Sequence, residues 1–464
     1  MKRSVILNVV GLTSKCLGES MPRLEAFRKE RQTRLIDPVL PAVTCTAQAT
    51  YLTGHYPACH GIVGNGWYDR SLAEVQFWKQ SNALVRGPKL WETLRETAPD
   101  FSAAKLFWWY NMYASANYSI TPRPMYPADG RKVFDVYTHP MGDREVVKEA
   151  LGDFPFPFFW GPMAGIPSSR WIADSARWYE ERYQPDLSLV YLPHLDYDFQ
   201  RYGPDHPESR KQLGVIDQLV GELLDFFQER EVEPLILSEY GITEVNQPVD
   251  VNRFLRSAGW LTVKEELGRE LLDPGASQAF AVADHQIAHV YINDDRIHED
   301  VKRQCESIPG VEEVWGEREK SAHGLNHERA GDLILVADSA SWFTYYYWES
   351  DDRAPDFARC VDIHRKPGYD PAELFLNPLV SLPKMRIGWK LLRKKLGFRM
   401  LMDFIPLDAG LVKGSHGRRP DSKEDWPVLI GDLAEPPPEP TVTGAEVHGQ
   451  LVRFCRRNSG LVEC

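Results

Sequence analysis

No stretch of this 464-residue chain approaches the roughly 18 uninterrupted apolar residues of a membrane-crossing helix, so nothing in it reads as a spanning segment. Basic residues are in deficit. With 54 Lys and Arg against 66 Asp and Glu, the net charge of −12 argues against a nucleic-acid polymer as partner, because phosphate neutralisation needs clustered cations. Cysteine is scarce as well: seven, an odd number scattered from Cys16 to Cys464, with neither a CxxC pair nor a disulfide-like spacing. They read as reduced and mostly buried. The strand Ser4-Val-Ile-Leu-Asn-Val-Val10 follows directly on Met-Lys-Arg, which leaves no space for a charged leader, apolar segment and cleavage site, and sets a cytoplasmic location as the expectation. There is no internal repeat.

What the chain does have is short apolar runs alternating with helical patterns, which predicts an α/β fold with a mostly parallel central sheet and helices on both faces. Val5–Val10, Val39–Val43, Leu187–Leu192, Leu235–Leu237 and Leu333–Val336 read as strands. Pro22–Arg31, about Thr46 to Leu52, and Pro207 to about Arg230 read as helices, the last with apolar Leu213, Ile216, Val220, Leu223 and Phe227 on one face. Aromatics and prolines crowd residues 100–165, as in Phe107-Trp-Trp-Tyr110 and Phe154-Pro-Phe-Pro-Phe-Phe-Trp160, and predict an inserted cap lobe whose rings either pack together or form a stacking wall. A second irregular zone, about 340–412, holds the one strongly basic stretch, Pro383 to Arg399. Its residues 384–399 fit a solvated helix face, or one that contacts a membrane periphery or a partner protein. Pro436-Pro-Pro-Glu-Pro440 reads as a linker, and Ala445–Cys455 as a short terminal helix. The expected division is a main domain over 1–435 and a linker with helix over 436–464.

The densest chemistry lies in Pro41-Ala-Val-Thr44-Cys-Thr46, continuing to Thr53-Gly54-His-Tyr-Pro57 and closing with His60-Gly61 and Asn65. A hydroxyl at a helix N-terminus sits where orphan N–H groups and the positive end of the macrodipole attract phosphate, so Thr44 is the candidate nucleophile. Its bland alternative is a helix cap, a role that Thr46 is free to fill. Three more segments place polar residues after strands: His194-Leu-Asp196-Tyr-Asp198-Phe-Gln200 with Tyr202-Gly-Pro204, then Ser238-Glu239-Tyr240-Gly241, then Gly414-Ser-His416-Gly417. Chemistry in open α/β sheets collects at such carboxyl ends.

Together these segments resemble the nucleotide pyrophosphatase/phosphodiesterase branch of the alkaline phosphatase superfamily over about residues 4–431. The resemblance implies an alkaline-phosphatase-like fold, Thr44 as nucleophile, Asn65 as an amide that holds a phosphate oxygen, and Asp196 and His416 as ligands of a divalent metal. The chain departs from the pattern at three places: Val10 stands where an aspartate ligand is expected, Gln200 replaces a histidine, and Glu239-Tyr240 replaces Asp-His. The implied cofactor is therefore one divalent ion rather than two, of Zn²⁺, Mn²⁺ or Mg²⁺, on Asp196 and His416 with help from Gln200 or Glu239. Supplementary candidates are His194, His285 and His364, and Arg365 and Lys366 could hold a phosphate without a metal.

The resemblance thus implies a metal-dependent phosphohydrolase, a phosphodiesterase or nucleotide pyrophosphatase, that passes through a phosphothreonine and acts on a small phosphorylated substrate. One alternative is a catalytically silent relative that binds a phosphorylated metabolite or a partner. Another is a phosphomonoester or phosphonate hydrolase on the same fold.

Overall fold

The computed structural model describes residues 2–129, 131–380, 382–398, 400–433 and 441–461, with backbone alone at 383, 384, 394 and 395. In chain order its principal strands are β1 (Arg3–Val9), β2 (Gln32–Asp37), β3 (Ala103–Leu106), β4 (Tyr118–Pro122), β5 (Val136–His139), β6 (Leu187–Leu192), β7 (Val232–Leu237), β8 (Ala279–Asp284), β9 (Ile287–Ile292), β10 (Val311–Trp315), β11 (Leu333–Ala337), β12 (Val428–Gly431) and β13 (Thr441–Thr443). Its principal helices are α1 (Pro22–Lys29), α2 (Thr44–Thr53), α3 (Ile166–Tyr183), α4 (His194–Tyr202), α5 (Pro207–Gln228), α6 (Pro383–Lys395) and α7 (Gly444–Asn458).

The main sheet runs β13-β2-β12-β7-β1-β6-β3-β4-β5. Its centre, β7-β1-β6-β3-β4, is parallel, and antiparallel β12 and β5 flank that centre. Strand β1 has apolar residues on both faces, Val5, Ile6, Leu7 and Val9, all fully buried, as a parallel strand covered by helices should be. Each contributes roughly 1.5–3 kcal/mol of burial. The register Asn8 opposite Tyr191 and Leu237 aligns the carboxyl ends of β6, β1 and β7. The polar segments after β6, from His194, and after β7, from Ser238, therefore open side by side at one end of the sheet.

Helix α5 buries the predicted face, Leu213, Ile216, Val220, Leu223 and Phe227. A second sheet, β8-β9-β11-β10, is antiparallel throughout. Its tight hairpin between β8 and β9 has His285 at φ 62°, an uncommon conformation for a residue with a side chain. The hairpin tip is tied to the main sheet's loops, since Gln286 N–H donates to the His416 carbonyl at 2.8 Å. Gly417 makes that approach possible: its φ is +120°, and a Cβ there would sit 3.0 Å from the Gln286 nitrogen.

Several expected boundaries move. The strand expected at Val39–Val43 is instead β2, Gln32–Asp37, followed by an extended link to α2. Residues 100–165 do not form a separate cap; β3, β4 and β5 extend the main sheet to its edge. The aromatic run there packs ring on ring, with Phe107 4.9 Å from Phe154 and 5.9 Å from Trp171 between centroids. The strand at Leu333 belongs to the second sheet, where alternation cannot tell a parallel from an antiparallel buried strand. The C-terminal helix is no appendage, because Val447, Leu451, Phe454 and Cys455 join the main core and β13 pairs with β2. Residues 436–440, the expected linker, lie outside the described residues. Among those described, no helix is long and apolar enough to cross a membrane.

Candidate functional site

Helix α2 begins at Thr44 itself, two residues earlier than predicted. Val43 occupies the cap position in extended conformation with no side-chain cap bond, so the Thr44 hydroxyl is free for other use. Thr46 does not take the capping role either; its hydroxyl donates to the Ile62 carbonyl at 3.2 Å and fastens the helix to the loop that brings Asn65. Gly54 closes α2 at φ 71° in the left-handed region, which explains the Thr53-Gly54 pair as a helix stop.

Asn65 is held from two sides. The Cys45 backbone N–H donates to its Oδ1 at 3.0 Å, while its own backbone N–H and Nδ2 donate to the two oxygens of Asp284 at 2.7 and 3.1 Å. Asp284, on β8, thus fixes the amide against the start of α2. Burial pushes the Asp284 carboxyl up to about 7, against the lowering pull of the Asn65 bonds.

Tyr240, just beyond β7, links Thr44 to Asp196. Its hydroxyl donates to Asp196 Oδ1 at 3.2 Å and lies 3.1 Å from Thr44 Oγ1. A phenol has one proton, so with that proton on Asp196 the Thr44 hydroxyl donates to Tyr240. The chain continues outward: Gln200 Nε2 donates to Asp196 Oδ2 at 2.8 Å, and the Tyr369 hydroxyl donates to Gln200 Oε1 at 2.9 Å. Burial pushes Asp196 up to about 7, although the bonds from Tyr240 and Gln200 pull it down.

The rings form a column over this chain. Tyr240 stacks on His416 with centroids 3.6 Å apart and planes within 7°, His416 meets His285 at 3.6 Å, and His285 lies 3.7 Å from Tyr369. His416 Nδ1 donates to the Ala42 carbonyl at 2.7 Å, which leaves Nε2 facing Asp196 Oδ1 at 3.8 Å. Burial drives His416 down to about 3 and His285 well below the usual histidine range, so both are neutral. Glu239 sits behind Thr44, where Gln48 Nε2 donates to it at 2.6 Å and Asn8 Nδ2 donates to the same oxygen. Burial pushes it up to about 8.

Of the predicted residues, Thr44, Asn65, Asp196, Gln200, Glu239, His416 and His285 come together. His194 does not: its Nε2 is 3.0 Å from Gln212 Oε1, between α4 and α5. His364 points to the Phe77 carbonyl, 3.3 Å from Nδ1. Lys366 is buried between Asp370 and Glu373 at 2.7 Å from each, and Arg365 pairs with Asp356, so neither is placed to hold a phosphate at Thr44. Tyr369, Gln48 and Asn8 were missed, since nothing in a polar turn or in the middle of a strand marks a residue as a partner of a site on another element. Asp284 stands next to the candidate His285 in the chain, but the hairpin that turns it toward Asn65 is tertiary information.

The model of the family described as type I phosphodiesterase / nucleotide pyrophosphatase matches residues 4–370. The chain belongs to that family. An uncharacterized pyrophosphatase/phosphodiesterase of Schizosaccharomyces pombe is 24% identical over 315 residues, 65% of this chain and 55% of that protein. Venom phosphodiesterase 2 of Crotalus adamanteus is 24% identical over 218 residues, 45% of this chain and 22% of that protein. The chain thus spans about half of the first relative and about a fifth of the second. Phosphonoacetate hydrolase from Sinorhizobium meliloti in complex with phosphonoformate shares the fold at TM-score 0.61 and 16% identity, covering 98% of this chain and 96% of that one. An inactive form of murine ectonucleotide pyrophosphatase/phosphodiesterase 5 in complex with AMP does so at TM-score 0.60 and 12% identity, covering 98% and 95%.

The divalent ion implied by membership of this phosphodiesterase family does not fit the donor set. Both Asp196 oxygens already accept hydrogen bonds, and Gln200 turns its N–H₂ rather than its oxygen to them. The Gln200 oxygen is taken by Tyr369, and Val10 offers no donor. Tyr240 lies flat on His416, and its hydroxyl stands between Thr44 and Asp196. Among the described residues no three His, Cys, Asp or Glu side chains come together as a metal site.

Proposed function

We propose that this chain is a phosphoester hydrolase of the phosphodiesterase family in which Thr44 is the nucleophile and Asp196, acting through Tyr240, is its base. The observation that carries the reading is the line of hydrogen bonds from Thr44 Oγ1 to Tyr240 and on to Asp196. A carboxyl held near 7 is poised to accept a proton at neutral pH, as an efficient general base must be. Thr44 attacks phosphorus while its proton passes to the Tyr240 oxygen and Tyr240 yields its own to Asp196. Asp196 returns that proton to the departing ester oxygen, which leaves as an alcohol. Water then attacks the Thr44 phosphoester, giving its proton to Asp196 while Tyr240 protonates the Thr44 oxygen, so that a phosphomonoester leaves and Thr44 is restored. With the Cys45 N–H taken by Asn65, the Thr44 and Thr46 N–H groups and the remaining N–H of the Asn65 amide are the donors for the negative equatorial oxygens. The substrate class is a small phosphorylated molecule; AMP in one solved structure of this fold and phosphonoformate in another support that reading.

A second reading, a silent binding protein, is favoured by one observation. The ring column and the buried, mutually bonded carboxyls give Thr44 a filled surround, with Thr44 only 4% and Tyr240 2% exposed. The experiment that separates the two is rapid acid quench of the protein with a nitrophenyl phosphodiester, followed by peptide mass spectrometry. The hydrolase reading expects Thr44 to carry the phosphoryl group with the substrate's retained ester, and no adduct in Thr44→Ala. Ligand-induced thermal stabilisation without label or turnover supports the silent reading instead.

A further inference from the structure

The surface feature that the hydrolase reading leaves unused is α6. On this helix and its flanks, Leu382, Met385, Trp389, Leu392 and Leu396 recur at intervals of three and four, which places them on one stripe. All five are exposed, Met385 at 69% and Trp389 at 61%, and the stripe continues into exposed Phe398 and Leu401. Large apolar side chains exposed together on one helix face are unusual on a soluble surface and mark an interaction site.

Charge identifies the occupant. The chain carries −12 overall, yet from 374 to 402 it has seven Lys and Arg and no Asp or Glu. Arg386, Lys390 and Arg393 follow the edge of the stripe by helical position. The helix is also oriented from below: Lys390 bonds Asp403 and, at 2.8 Å, the Leu401 carbonyl, and its ammonium lies 5.0 Å over the ring of buried Phe404. The apolar stripe is thereby left facing away from the body of the protein.

We infer that α6 is an interfacial helix that docks this protein on an anionic lipid surface. Leu, Met, Trp and Phe side chains enter the boundary between headgroups and acyl chains while the bordering cations meet lipid phosphates and carboxylates. An apolar stripe with a tryptophan at its middle and cations along its edge matches a charged planar interface. A groove in an ordinary partner protein would supply the apolar contacts but not a field of negative charge, and the acidic body of the molecule would be repelled unless α6 faced the surface.

The test is co-sedimentation of the full chain with phosphatidylcholine vesicles, with and without phosphatidylserine as about a quarter of the lipid. Two variants accompany the parent, Arg386→Glu/Arg393→Glu and Trp389→Ser/Leu392→Ser. Their positions are on the exposed helix, and unchanged melting temperature and circular dichroism establish that both fold. The expected result is binding to the anionic vesicles that falls at least tenfold on neutral vesicles, in each variant, and on raising salt for the parent. Absence of parental binding to anionic vesicles, equal binding to neutral ones, or binding unchanged in both variants overturns the inference and leaves α6 to a protein partner.

Discussion

The two halves of the candidate site have diverged in opposite directions. On the α2 side, the Thr44 hydroxyl stands at a helix start with no capping duty, and Asn65 is braced by Cys45 and Asp284 in the arrangement that phosphoryl chemistry asks for. On the side of β1, α4 and β7, Asp196 is kept, but three positions where the resemblance implies ligands hold other residues: Gln200 and Tyr240 bond Asp196, and Val10 offers no donor. On the proposed reading, the difference teaches that hydrogen bonding to Asp196 stands where the resemblance implies a cation. Burial raises the Asp196, Glu239 and Asp284 carboxyls toward neutrality.

If the comparison is right, the largest loss comes from the retained half. Thr44→Ala removes the attacking oxygen and should lower phosphodiester hydrolysis by at least about 10³-fold, with a cost of only about 1 kcal/mol in stability from one lost hydrogen bond. Steady-state turnover alongside a thermal melt checks both. The replaced half should show a smaller but large effect. Tyr240→Phe keeps the ring on His416 and removes the relay, so kcat should fall by about 10²-fold. The parent rate should rise with pH through an apparent pKa of about 7, because Asp196 must be ionised to accept a proton. A flat profile between pH 6 and 8 would remove Asp196 as the base.

Asp284→Asn offers one carbonyl to the two N–H donors of Asn65 and turns a third donor toward them. It should cost about 1–3 kcal/mol in stability and about tenfold in kcat, read by chemical denaturation and turnover. The smallest effect concerns pH and stability. Asp196, Glu239 and Asp284 have folded pKa values raised to about 7, about 8 and about 7, so their protonated forms favour the folded state. That contribution is fully present below the unfolded carboxyl range and is lost as pH climbs toward 7–8. The neutral histidines act the other way, destabilising only as pH falls below the ordinary histidine value. Above pH 6.5 the carboxyls dominate, and the melting temperature should drop between pH 6.5 and 8. Glu239→Gln should flatten that slope by up to one proton, about 1.4 kcal/mol per pH unit.

The sequence reveals much of this and conceals a definite part. Strands Leu187–Leu192 and Val5–Val9 were visible because continuous apolar runs bounded by polar turns have few alternatives. Thr44, Asn65, Asp196 and His416 were singled out through the family resemblance, and the structure brings them together. The second sheet was not, since its β8-β9 hairpin turns on Asp284, His285 and Gln286, with none of the glycine or asparagine that marks a tight turn. Tyr240 was legible as a lost ligand but not as a bridge. A substitution read along one chain shows what is missing, whereas the partner that fills the space, here Asp196 on another element, is a fact of tertiary packing.

The most direct test of the central claim is hydrolysis of a nitrophenyl phosphodiester by protein stripped of metal with a strong chelator, measured for the parent and for Tyr240→Phe. The account predicts that chelation leaves the parental rate unchanged and that Tyr240→Phe loses about 10²-fold under the same conditions. A rate abolished by chelator and restored by added Zn²⁺, Mn²⁺ or Mg²⁺, or a Tyr240→Phe protein as fast as the parent, would contradict it.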